Sequence, residues 1–350
     1  MLLIKINEII TNKINSKNFY YGIQILRMIC SYLIVQLHCF IRALTKDKIL
    51  LKLIHGAWVY VTIFFILSLF FSHRTLISKD FSKIKLRFQR LLTPYIIWPI
   101  LFYFIRILLY FKDKTKFYKI KQLLGQLIIG FGIESVFWFQ FNLILAHLIF
   151  IIIIFLFKNN YLFYIQLIGI LGFLFYPTKY PTEFFLKYNT CIVRTICCIC
   201  RILISTSIGF SIAELNIINY LQKKKIKTFI FCFLALYLAK ELYNVEKRGL
   251  FIELIVSNVV ATCIIFIFFL ISFNCKYKDK IILTIQIFTN YTCGIFCIHK
   301  KIRDILCYLN ILNHRNIKVK ECLLIYILSY ILNFIGIKFL GKTKLKYLFI

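Results

Sequence analysis

The hydrophobic positions of this chain fall into long runs separated by short polar tracts, most of them basic. Apolar runs lie near 23–44, 55–72, 92–111, 136–157, 161–177, 192–213, 228–241, 250–273, 282–299 and 321–341. A helix crosses the hydrocarbon of a bilayer in about 20 residues, so a run of that length with few charges is a transmembrane candidate. The pattern predicts an all-α fold, a polytopic membrane helix bundle of about ten transmembrane helices over 23–341. A polar tail (1–22) precedes it and a basic tail (342–350) follows it. The run at 228–241 is short and ends in Lys240 and Glu241. The stretch LLGQLIIGFGI (123–133) is too short to span and is expected to be re-entrant or interfacial. No internal repeat and no insert of soluble-domain size interrupts the series.

Composition strengthens the membrane reading. Of the 350 residues 61% are hydrophobic and 18% aromatic, and the mean hydropathy is +0.82. A soluble core does not use that much apolar surface, whereas a lipid-facing bundle does. Lys and Arg number 45 against 13 Asp and Glu, a formal charge of +32. In a soluble chain that balance points to nucleic acid. Here the basic residues sit mainly between apolar runs, so the expected partners are membrane lipids with anionic headgroups or a polyanionic substrate, and not nucleic acid. Most of the 13 cysteines lie inside apolar runs, where a thiol acts as a small hydrophobe. Cys191, Cys197, Cys198 and Cys200 cluster without His or carboxylate at zinc-site spacing, so no metal is expected. The N-terminal segment has neither a signal peptide's apolar core nor its cleavage site, and the first run is expected to be an uncleaved anchor. Lys and Arg balance across the two sides, so the positive-inside rule does not choose an orientation. The basic loop 73–92 shares the N-terminal side, which is taken as cytoplasmic.

The first run carries the most pointed chemistry. It holds Arg27, Gln36 and His38, groups that are costly in hydrocarbon and suggest function. Eleven residues of ideal helix advance about 1100°, three turns plus about 20°, and about 16 Å along the axis. Arg27 and His38 therefore share a face, pairing a fixed cation with a proton-transfer group. An imidazole there can take a proton from a hydroxyl near neutral pH; the alternative is a histidine satisfied by an interhelical hydrogen bond. A second candidate is the basic tract with Lys83, Lys85, Arg87 and Arg90 before Thr93-Pro94-Tyr95. On a helix Arg87 and Arg90 share a face, and paired guanidinium forks suit the phosphates of a nucleotide-bearing donor. The alternative is a juxtamembrane collar on lipid headgroups. Third, Glu134-Ser135-Val136-Phe137-Trp138-Phe139-Gln140-Phe141-Asn142 leads into the fourth run. Trp138 reads first as part of an interfacial aromatic belt; with Glu134, Gln140 and Asn142 it also offers a surface for a sugar. His147 reads as structural, His55, His73 and His299 as membrane-edge residues, and His314 as a loop residue. No G-x-S-x-G, P-loop or H-E-x-x-H motif supports a soluble hydrolase, NTPase or zincin.

Taken together, these stretches resemble the acyltransferase family 3 of membrane proteins, which includes bacterial surface-polysaccharide O-acetyltransferases. The resemblance runs through Arg27-x10-His38, Phe64-Phe65-Ile66-Leu67-Ser68, Arg87-x-x-Arg90 with Pro94-Tyr95, Trp138-Phe139, and Gly294-Ile295-Phe296 leading to His299. These pieces occur in family order and cover nearly the whole chain; Leu69 stands where the family usually has glycine after the serine. The resemblance implies a multi-pass cell-membrane enzyme that moves an acyl group from acyl-CoA, commonly acetyl-CoA, to a hydroxyl of a carbohydrate or glycolipid. It also implies His38 as the catalytic histidine, Arg27 as its essential partner, and Arg87 and Arg90 as the groups holding the donor's phosphates. Some relatives carry an extra esterase-like domain; the expected form here is the stand-alone one. Two rival expectations are a transporter or flippase whose substrate or proton path is lined by Arg27 and His38, and an inactive relative serving as a membrane scaffold.

Overall fold

The computed structural model describes residues 20–40, 57–113, 120–130, 137–176, 190–245, 250–274, 285, 289, 292–309, 311–312, 319–340, 343 and 347. These residues form an all-α membrane-type bundle of twelve helices. They are α1 (Tyr21–Phe40), α2 (Ala57–Ile77), α3 (Phe81–Asp113), α4 (Ile120–Ile129), α5 (Trp138–Leu156) and α6 (Tyr161–Leu174). There follow α7 (Thr190–Glu214), α8 (Ile217–Lys223), α9 (Lys225–Val245), α10 (Leu250–Asn274), α11 (Thr292–Tyr308) and α12 (Val319–Leu340). Each of the ten expected runs holds a helix. Among the described residues, six helices contain a segment long and apolar enough to cross a bilayer: α2, α3, α5, α7, α10 and α12. In α1 the polar Gln24, Arg27, Gln36 and His38 interrupt the apolar run.

Side-chain contacts at separate depths give the helix directions. Tyr20, at the start of α1, packs its ring on Phe70, near the end of α2, so these two run antiparallel. The start of α1 likewise meets the end of α10, where Gly22 N donates to Ser272 Oγ at 2.9 Å. In contrast α2 and α7 run parallel. The Arg201 guanidinium lies 4.0 Å over the Trp58 ring, Gly209 meets Ile66, and Glu214 pairs with His73. At Gly209 a Cβ would overlap the Ile66 carbonyl oxygen, so only glycine admits this backbone approach, a device common between membrane helices. The core is apolar and aromatic, with Phe65, Phe150, Phe210 and Ile154 fully buried. On α9 the large side chains Ile226, Phe229, Ile230, Phe231, Phe233 and Leu234 are exposed, the pattern of a lipid-facing helix.

Two elements differ in extent from the sequence pattern. The third helix starts at Phe81 rather than near 92, so the basic tract of 81–92 is helical. Asp80 explains the start: its Oδ1 accepts from Ser82 N at 3.0 Å and Lys83 N at 3.2 Å, satisfying amides that have no partner inside the helix. The helix in the ninth apolar run, α11, continues to Tyr308, past the expected end at 299.

The short α4 turns back into the bundle. Tyr95 OH, on α3, donates to Gln126 O at 2.6 Å and Leu127 O at 2.9 Å. Tyr95 precedes Phe102 by seven residues, about 10 Å of helix. Phe102 is the residue level with Phe137, where α5 begins. The end of α4 therefore lies deeper in the bundle than the start of α5. Gln126, fully buried, satisfies its amide on Gly130 O at 2.7 Å, as non-spanning backbone at membrane depth requires.

Candidate functional site

Five helices converge on a cavity of about 480 Å³. Its polar lining is Gln24 and Arg27 of α1, Ser68 of α2, Arg87 and Arg90 of α3, Gln140 of α5 and Thr292 of α11. Phe64, Leu67, Phe71, Leu91, Phe139, Leu143 and Phe296 supply the apolar remainder. Because α3 is helical from Phe81, Arg87 and Arg90 enter from one face of it, about 9 and 14 Å along its axis. The sequence pattern separated Arg27 from these two by more than fifty residues; antiparallel packing of α1 on α2 and the turn into α3 bring all three together.

Hydrogen bonds to neutral groups help to hold Arg27 and Arg87. Arg27 donates through Nη1 to Gln24 Oε1 at 3.0 Å and through Nη2 to Thr292 Oγ1 at 3.1 Å. Arg87 Nη2 donates to Ser68 Oγ at 2.7 Å. Arg90 is exposed, with its guanidinium 5.9 Å from the Tyr347 ring centroid. Among the described residues, no Asp or Glu lines the cavity. Three guanidinium groups give the described lining of the cavity a concentrated positive charge.

His38 does not line this cavity. It lies further along α1, half-buried, with its ring centroid 5.2 Å from that of His299 on α11 and the planes tilted by 38°. Arg27 meets Thr292 and His38 meets His299, so both face the same neighbouring helix, which runs parallel to α1. Arg303 Nη1 donates to His38 O at 2.6 Å, and Arg303 is itself held by Asp304 Oδ1 at 2.6 Å. Phe296 connects the two regions: it lines the cavity, and its ring centroid lies 6.1 Å from that of His299.

His299, read from the sequence as a membrane-edge residue, is fully buried within the bundle. Its neighbour Lys301, which suggested an edge, lies 5.2 Å from the Phe102 ring centroid and 3.9 Å from Asp304 Oδ2. His299 Nδ1 is 3.0 Å from Ile295 O. A carbonyl only accepts, so Nδ1 carries the proton, and in the neutral ring Nε2 holds the lone pair. That Nε2 is buried with no hydrogen-bond partner.

Other sequence candidates fall elsewhere. Trp138 packs among Trp58, Phe65 and Phe139 at 5.7–6.3 Å between ring centroids. Asn142 is fully buried and donates to Trp138 O at 2.8 Å. Neither lines the cavity; Gln140, between them, does. Glu134, Ser135, His55 and His314 lie outside the described residues. His147 bonds Leu143 O at 2.8 Å and Ser72 Oγ at 3.1 Å, which engages both ring nitrogens in a structural role. His73, near the end of α2, is buried and paired through Nε2 with Glu214, whose other oxygen accepts from Tyr161 OH at 2.6 Å. Cys197, Cys198 and Cys200 are free thiols, and no group of three or more metal-ligating side chains occurs among the described residues.

Comparison of the chain with family models, curated proteins and solved structures finds no match.

Proposed function

We propose that this protein is an integral membrane O-acyltransferase that moves an acyl group, acetyl in the simplest case, from acyl-CoA to a hydroxyl of a carbohydrate or glycolipid at the cell membrane. The observation that carries the reading is the convergence of Arg27, Arg87 and Arg90 on one cavity, with no carboxylate among its described lining residues. A CoA thioester presents phosphates to such a site and a long, extended arm to the lining beyond it. His38 then stands on the same helix as Arg27, about 16 Å further along the axis. In this reading Arg87 and Arg90 hold the phosphates and Arg27 marks the inner end of the anion site. His38 deprotonates the acceptor hydroxyl, whose oxygen attacks the thioester carbonyl, and the departing thiolate recovers the proton.

The test is made on the full chain reconstituted in lipid. Acetyl-CoA is expected to bind with low-micromolar to millimolar affinity, and the Arg87→Ala, Arg90→Ala double variant is expected to lose that binding. His38→Ala is expected to bind acetyl-CoA yet transfer no acetyl group. Full transfer by that variant would end the assignment of His38. Mass spectrometry of cell-surface glycans with and without the protein identifies the acceptor through the missing acyl mass.

A further inference from the structure

A buried histidine whose Nε2 lone pair faces no partner is costly, and this one lies beside the histidine already assigned as the base. We infer that His299 is a positioning residue for His38: its Nε2 accepts the ring N–H of His38 and so leaves the other His38 nitrogen free to take the acceptor proton. The inference rests on the acyl-transfer reading and deepens it.

Three observations support it. Ile295 O fixes the His299 proton on Nδ1, so His299 can only accept on the His38 side. Nε2 is buried without a partner, while the two ring centroids are 5.2 Å apart with planes tilted by 38°, so the rings are direct neighbours. Catalytic hydrogen bonds are commonly long before substrate binds and tighten afterwards. The backbone at His38 is meanwhile anchored by Arg303 at 2.6 Å, so rotation of the ring requires no movement of α1. The groups facing the pair are the cations Lys300 and Arg303, with Asp304 on Arg303.

The proton balance is simple. The acceptor O–H bond breaks and its proton goes to His38. The acceptor oxygen forms a C–O bond to the acyl carbon as the C–S bond breaks. The imidazolium of His38, its positive charge shared with His299 through the hydrogen bond, returns the proton to the thiolate. His299 gains and loses nothing over the cycle.

The experiment compares His299→Gln, which retains an acceptor oxygen, with His299→Phe, which retains the ring volume, in the reconstituted full chain. The probe is CoA release from acetyl-CoA with glycerol as the stand-in hydroxyl. For His299→Phe we expect kcat to fall about 10²-fold with KM for acetyl-CoA unchanged, and the remaining rate to rise with pH as hydroxide replaces the base. His299→Gln should keep several-fold more activity than His299→Phe. A purely structural histidine predicts the reverse order, with Phe tolerated, and that result overturns the inference. A wild-type protein that releases no CoA overturns the acyl-transfer reading and this inference with it. Turnover that neither variant changes overturns this inference alone. Should both variants fail to fold, ¹⁵N-histidine spectra of the wild type decide: His299 protonated on Nε2 overturns the inference, and a bare Nε2 supports it.

Discussion

Arg87 reaches across from α3 and places Nη2 2.7 Å from the hydroxyl oxygen of Ser68 on α2. This single bond ties two elements of the cavity wall and fixes one edge of a guanidinium that is otherwise long and rotamer-rich. A cation held in place before an anion arrives loses less entropy on binding it.

The bond therefore predicts an effect on affinity. Ser68→Ala is expected to weaken acetyl-CoA binding about 3- to 10-fold, the effect of losing one ordinary hydrogen bond of about 0.7–1.4 kcal/mol. Arg87→Ala should cost about 10²-fold. Arg87→Lys should fall between the two, because it keeps the charge and loses the fork. Calorimetry in lipid nanodiscs reads all three; a Ser68→Ala protein that binds like the wild type would show that Arg87 needs no such support.

The helices were legible because their signal is local. Ten runs of apolar residues announce themselves by length, and each holds a helix. The start of α3 was hidden because Lys83, Lys85, Arg87 and Arg90 made it look like a loop; Asp80, followed by a helix-compatible tract, was the cap signal that would have found it. Residue partnerships are a different matter. Nothing near His299 in the chain except Lys300 and Lys301 hints at its environment, and those lysines mislead because long basic side chains lay their stems along apolar surface. Its neighbour His38 is 261 positions away in sequence. Arg87 and Arg90 could be put on one face by helix geometry alone, but that Arg27 joins them had to come from packing.

The close approach at Gly209 gives a stability prediction. A Cβ at this position would overlap the Ile66 carbonyl oxygen, and backbone cannot yield as a side chain can. Gly209→Ala is expected to destabilise the bundle by about 1–3 kcal/mol, the usual cost of overpacking. A thermal unfolding scan in detergent should show the apparent Tm falling by several degrees. An unchanged Tm would mean that α7 can slide away from α2 at no cost.

The His73, Glu214 and Tyr161 cluster ties α2, α7 and α6 at the cavity end of the bundle. Tyr161→Phe removes one hydrogen bond to Glu214 and is expected to cost about 1 kcal/mol. Glu214→Ala strands both partners and should cost more, up to about 3 kcal/mol for this partly exposed carboxylate. A double-mutant cycle between His73 and Glu214 should give a coupling of about 1 kcal/mol or more; additive effects would mean that the two contribute independently.

The last prediction concerns the helix that carries Arg87 and Arg90. Asp80 caps its start, and Lys83 lies 3.0 Å from the Asp80 carboxylate. The Lys83 side-chain contact, aided by the amides of Lys83 and Ser82, holds the Asp80 carboxyl below the usual carboxylate range. A group whose folded pKa is depressed contributes stability above its unfolded pKa and loses it as pH falls through the folded value. The start of α3 should therefore be firm near neutral pH and loosen below about pH 4, where unperturbed aspartates protonate. Asp80→Asn keeps an oxygen to accept from the same amides but has no charge to lose. Hydrogen exchange at Ser82 and Lys83 is the measurement. Wild-type protection should drop on acidification while protection in Asp80→Asn stays flat. Parallel pH dependence in the two proteins would show that the charge on Asp80 does not hold this helix start, and so does not help to position Arg87 and Arg90.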